Sequence, residues 1–172
     1  MVRTELCTFC VKSGILCAKC EERVRKGQIT KLDLETIKLL LELEKRHPDL
    51  ESLRFYKASD LGDIVAIQVD QQDIEKISGK REDILRDISD RIGGKKIILV
   101  GRGGDDRRFL EELLSPLAIL TINTVWLPDG STETKVILQG RMPRYMPANL
   151  ETVSRVAREL RNLTLRIEFE RR

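Results

Sequence analysis

Four cysteines are the residues of this chain with the most definite chemistry. Cys7-Thr-Phe-Cys10 and Cys17-Ala-Lys-Cys20 contain every cysteine in the 172 residues. Two CxxC pairs can each bite one tetrahedral ion, and four thiolates make the closed shell of a structural zinc site. Iron suits the same cage, and a pair of disulfides would use the same residues, although a reducing compartment disfavours them. Only Val11 to Leu16 separate the pairs, and Lys12-Ser13-Gly14 offers the turn. So small a knuckle needs its metal in order to fold. Its plain use is a staple that docks the N-terminus on the body. Lys12, Lys19, Arg23, Arg25 and Lys26 suggest a second contact surface for nucleic acid or a partner, but four thiolates on one zinc cancel part of that positive field.

The body is organised around residues 63–101. IVAIQV and KKIILVG read as strands, and between them Ile74, Ile77, Ile84, Leu85, Ile88 and Ile92 recur at helical spacing. The order is strand, helix, tight turn, helix, strand. Gly79-Lys80-Arg81-Glu82 is the turn, with Gly79 expected at positive φ. Lys80 and Arg81 are expected to point outward beside the N-terminus of the second helix, where free N–H groups favour an anion such as a phosphate. This order resembles a KH domain, whose GxxG loop clamps a nucleic-acid backbone between two helices. Glu82 stands where that family has its second glycine, adding bulk and negative charge.

Ahead of this core, Thr30 reads as an N-cap with Asp33 in the first turn, and His47-Pro48 as the stop of a helix. Its apolar residues spread widely enough to be covered on two sides, by the knuckle and by the first lobe. His47, the only histidine, reads as a surface residue. Residues 53–58 supply a further strand, ending at Leu61-Gly62-Asp63. Helix and strand before strand–helix–helix–strand is the type II order of KH domains.

Gly101-Arg102-Gly103-Gly104 matches GxxG more literally but follows a strand. No GK[ST] comes after it, and Asp105 and Asp106 are better helix caps than phosphate ligands, so it reads as a flexible joint rather than a nucleotide loop. Beyond it come a helix from Asp106 to Leu114, a break at Ser115-Pro116 and strand Ile119–Leu127. A turn at Pro128-Asp129-Gly130-Ser131 leads to the antiparallel strand Glu133–Leu138. After a proline-interrupted segment, 141–147, a helix carries Leu150, Val153, Ala157 and Leu160, and a strand runs from Leu163 to Phe169. That is the type II order again, without the first core helix and its loop. The pair resembles the tandem KH region of archaeal NusA-like transcription factors over about residues 55–170, with 106–118 resembling the helix that joins the two domains.

The fold class expected is therefore α+β: a zinc knuckle (1–27), a linker helix (28–50), a KH-like domain (51–104) and a degenerate KH-like domain (105–172). Charged residues make up 34% and aromatics 4%, and the net charge is +3. No stretch is long and apolar enough to span a membrane, and no signal peptide opens the chain, so a cytoplasmic protein is expected. The positive excess lies in residues 1–27 and 141–172, and all eight cations of the latter are arginines, suited to bidentate phosphate contacts. No Cys/His or Ser/His pairing points to an enzyme.

The function these residues and the resemblance imply is non-catalytic RNA binding beside transcription or ribosome assembly. Single-stranded RNA is the expected partner, with RNA polymerase or a ribosomal subunit as protein neighbours. Gly79, Lys80 and Arg81 would touch phosphates in the first lobe. Arg141 and Arg144 would do so where the second loop should be, and Arg155, Arg158 and Arg161 would line a basic helix face. Each has a plainer role: Lys80 and Arg81 can pair with Glu82 and Asp83, and the helix arginines can be a solvated face. The alternative function is a protein-docking adaptor that uses the knuckle and the edge of the Trp126 hairpin.

Overall fold

The computed structural model describes residues 1–62, 64–114, 117–144 and 149–170. The chain divides into two compact units, Met1–Gly103 and Gly104–Arg172. The first contains α1 (Thr8–Ser13), α2 (Ala18–Arg25), α3 (Lys31–Glu44), β1 (Phe55–Asp60), β2 (Ile64–Asp70), α4 (Gln71–Lys76), α5 (Arg81–Arg91) and β3 (Lys96–Arg102). Its sheet has the order β1-β2-β3, with β1 antiparallel and β3 parallel to β2. A parallel neighbour requires a crossover, and α4 and α5 provide it.

Side chains on one face of this sheet, Val65, Ile67, Val69, Ile97 and Leu99, form a single core with Ile74, Ile77, Ile84 and Ile88 of the crossover and Leu39, Leu40 and Leu43 of α3. Thr30 caps α3 in a capping box with Asp33. Asp33 is buried; one of its oxygens accepts from Thr30 N–H and the other from Ala58 N–H at 2.7 Å. Thus one carboxylate both starts α3 and fastens it to β1. Asp70 caps α4 by accepting from Gln72 N–H, and Asp73 in its first turn ties the helix to the residue before β1, accepting from Arg54 N–H at 2.9 Å.

Three features differ from what the sequence suggests. The link between the crossover helices is a 3₁₀ turn, Ser78–Lys80, and Gly79 is not among the residues at positive φ. The short α4 tightens into that turn, so no left-handed residue is needed. His47 is not a surface residue: its side chain is 14% exposed, and Nε2 lies 2.8 Å from Asp87 Oδ2 of α5. Gly101 and Arg102 belong to β3 rather than to a joint. Glycine stands at 101 because α4 starts alongside, and a Cβ there would collide with the Gln71 side chain.

The second unit contains α6 (Asp106–Leu114), β4 (Ile119–Trp126), β5 (Thr132–Leu138), α7 (Leu150–Arg161) and β6 (Leu165–Phe169). The strand order is β4-β5-β6, again antiparallel then parallel. Asp105 caps α6 by accepting from Arg108 N–H. The hairpin closes with Leu127 N–H donating to Ser131 O and with Gly130 at φ 87°. Among the described residues no helix stands between β5 and α7. Ser115-Pro116, Asp63 and the stretch 145–148, on which a break, a turn and a second proline were expected, lie outside the described residues. The architecture is α+β, two KH-like lobes each built on a three-stranded sheet. Among the described residues no helix is long and apolar enough to cross a membrane.

Candidate metal centre and nucleic-acid interface

Each CxxC pair opens a short helix. Cys7 is the N-cap of α1 and Cys17 that of α2, which places Cys10 and Cys20 one turn further on, facing inward. Gly14 ends α1 at φ 74°, donating its N–H to Cys10 O. The chain thereby returns to bring the second pair against the first. All four Sγ atoms lie within 4.8 Å of one another, with Cys7 Sγ 3.1 Å from Cys10 Sγ and 3.9 Å from Cys17 Sγ. Tetrahedral zinc with Zn–S of about 2.3 Å needs sulfur separations of about 3.8 Å, so the donor set fits a structural ion after small adjustment.

Backbone N–H groups are aimed at the sulfurs. Cys17 N–H donates to Cys10 Sγ at 3.1 Å. The Cys20 N–H, reinforced by the Cys10 and Cys20 thiols, pulls the Cys17 thiol down to about 6. The Cys10 N–H, with the Cys10 thiol, holds Cys7 below the ordinary thiol range. Cys10 receives the Cys17 N–H, which lowers it, but burial and the neighbouring thiols outweigh that bond and push it up to about 12. Thiols crowded this closely resist carrying several charges at once unless a cation sits among them.

The knuckle is held to the body. Val2, Leu6, Cys10 and Cys20 join the core that contains α3. Arg3 adds a bridge to the outer edge of the first sheet, its N–H donating to Leu53 O and its carbonyl accepting from Phe55 N–H, both at 2.8 Å. Elsewhere on the knuckle Phe9 and Ile15 are 65% and 70% exposed. Lys12, Lys19 and Arg25 are exposed there without ion-pair partners among the described residues.

The first-lobe loop is more engaged than its sequence suggests. Lys80 Nζ lies 3.6 Å from Asp49 Oδ2, a surface pair, rather than beside Glu82 or Asp83. Arg81 does not point outward: its guanidinium turns back to donate to Leu99 O of β3 at 3.3 Å. Glu82 and Asp83 occupy the first turn of α5 and already complement its free N–H groups. Gly79, Lys80, Glu82 and Asp83 line a shallow depression.

In the second unit Arg141 and Arg144 are exposed ahead of α7, and Arg155 and Arg158 are exposed on it. Arg141, Arg144 and Arg158 have no ion-pair partner among the described residues. Arg161 is used internally, donating to Gly104 O at 2.9 Å, pairing with Asp106 at 3.1 Å and lying over the Phe109 ring. A basic-aromatic cluster forms at Tyr56, with the guanidinium groups of Arg54 and Arg102 at 5.3 and 4.7 Å from its ring centre. Arg54 is two residues away in sequence, but Arg102 comes from the far edge strand, so no local spacing announces the cluster.

No protein-family model matches this chain, and no curated protein is similar to it. Solved structures do match. One described as the crystal structure of APE1850 is similar with a TM-score of 0.51 at 12% sequence identity, covering 80% of this chain and 99% of that one. At such an identity the likeness is one of fold, and it agrees with the two-lobe α+β architecture.

Proposed function

We propose that this chain is a non-catalytic RNA-binding protein stapled by a structural zinc ion, working in the cytoplasm beside transcription, in the manner of NusA-like factors, or beside ribosome assembly. The observation that carries the reading is the repeated type II KH strand order, complete with both crossover helices in the first lobe. KH-type lobes hold single-stranded nucleic acid by its backbone. Arg141, Arg144 and Arg158 are free to meet phosphates. Lys80 joins them once it leaves Asp49, a surface pair worth no more than about 1 kcal/mol. Arg81, bonded to β3, positions the loop rather than binding. Cys7, Cys10, Cys17 and Cys20 hold the zinc, which keeps the knuckle folded against α3. Titrating labelled single-stranded RNA with wild type, Lys80→Asp and Arg141→Ser/Arg144→Ser apportions the contacts. Each variant is expected to bind several-fold more weakly, and unchanged affinity in both removes the proposed phosphate contacts.

A second reading is favoured by Glu82 and Asp83 at the loop and by the exposed Phe9 and Ile15 of the knuckle. In that case the KH lobes are a scaffold and the knuckle docks on a polymerase or ribosomal protein. Salt separates the two: phosphate contacts weaken steeply with it, and an apolar docking surface does not.

A further inference from the structure

The two sheets treat their equivalent edges differently. In the first sheet, the outer edge of β1 is occupied: Phe55 N–H donates to Arg3 O and Ala58 N–H to Asp33 Oδ1. In the second, the corresponding edge strand β4 runs ILTINTVW, eight residues without a charge, a proline or a glycine. Leu120, Thr121, Asn123, Thr124 and Trp126 on it are exposed, and Trp126 is 75% so. Natural edge strands are blunted by lysine, proline, bulges or a covering segment, because open N–H and C=O groups recruit another strand. β4 has a single irregularity, near Leu120, and is regularly paired with β5 from Thr121 to Trp126.

The hairpin fixes which groups are open. Leu127 N–H bonds inward to Ser131 O, and in an antiparallel ladder inward and outward residues alternate. Counting back, Trp126, Thr124 and Ile122 turn their amides outward. We infer that this edge pairs with the same edge of a second copy of the chain, antiparallel and centred on Thr124. In that register Thr124 faces its symmetry mate, and Ile122 faces Trp126 of the other copy. Every outward amide then meets another outward amide. Asn123 falls opposite Val125, so no charge opposes a charge anywhere along the seam. The two-fold relation is the one an isologous contact requires. The exposed indole of Trp126 gains an apolar neighbour in Ile122 of the mate, and the two sheets join into one of six strands. β6, the other edge, carries Arg166 and Glu168 among its five residues, charges of the kind that blunt an edge. The interface is small, so the dimer is expected to be reversible and concentration-dependent.

Sedimentation velocity on the full metal-loaded chain, from roughly 1 to 300 μM, spans weak association. Wild type is expected to pass from monomer to dimer over that range. Thr124→Lys and Thr124→Pro are both expected to stay monomeric with unchanged circular dichroism, since the Thr124 amide is not used within the sheet. Trp126 is the only tryptophan, so its emission should shift to the blue on concentrating wild type and stay fixed in Thr124→Lys. A wild type that is monomeric throughout, even where another protein or RNA binds it, overturns the inference. So does a dimer that Thr124→Lys leaves intact or whose formation leaves Trp126 emission unmoved.

Discussion

A single imidazole–carboxylate pair shows how a residue acquires a role from the fold. His47 follows α3, and Asp87 lies 40 positions later, on α5, with Arg46 3.9 Å from the same carboxylate. The His47 hydrogen bond, helped by the fields of Arg46 and Arg91, holds Asp87 below the usual carboxylate range. A carboxylate depressed in the folded state contributes stability that is full above its unfolded pKa, about 3.9, and is lost as pH falls through the folded value. Asp87→Asn is therefore expected to flatten the fall of the urea midpoint below about pH 4 and to leave the slope between about pH 5 and 6 less affected. A fall as steep as wild type would show that Asp87 does not carry that limb. From sequence His47 is expected to face solvent, because its local neighbours offer no acid. Only packing of α3 on α5 brings one.

Elements were the most legible scale. Apolar spacing located α3, α5, α6 and α7 and all six strands, and the caps Thr30 and Asp105 are where Ser/Thr/Asp preference puts them. Less legible were the devices that tie one element to another, since a buried carboxylate looks like any other in sequence. Asp33 is the clearest example. Asp33→Ala removes the acceptor for Ala58 N–H and half of the capping box, which should cost about 2–4 kcal/mol by chemical denaturation. A loss under about 0.5 kcal/mol would contradict the claim that it fastens α3 to β1. The knuckle is likewise an element held by a few groups. Its cysteine spacing was plain, whereas its docking through Val2, Leu6 and Arg3 was not. Metal analysis is expected to find one zinc per chain in wild type and none in Cys17→Ser. That variant should melt at least about 5 °C lower, as loss of roughly 2 kcal/mol implies for a chain of this size. An unchanged melting curve would mean the knuckle is not a staple.

At the scale of the whole molecule, the strand order of both lobes was foreseen because a gap in the helical pattern leaves the strands in place. The chemistry of the first loop was not. Gly79-Lys80-Arg81-Glu82 looks like a clamp in sequence, yet Arg81 is turned to Leu99 and Lys80 to Asp49, neither of which is near in the chain. Among the described residues, the exposed cations without an ion-pair partner include Arg141, Arg144 and Arg158 of the second lobe. Net charge could not distinguish these cases, because it counts paired and free cations alike.

The claim that these arginines, together with Lys80, neutralise RNA phosphates is tested by the salt dependence of wild-type binding to single-stranded RNA. With four contacts, from Lys80, Arg141, Arg144 and Arg158, the slope of log K against log salt should be about −3, since each single-strand phosphate contributes about −0.7. No binding at low salt, or binding with a slope near zero, would contradict the account.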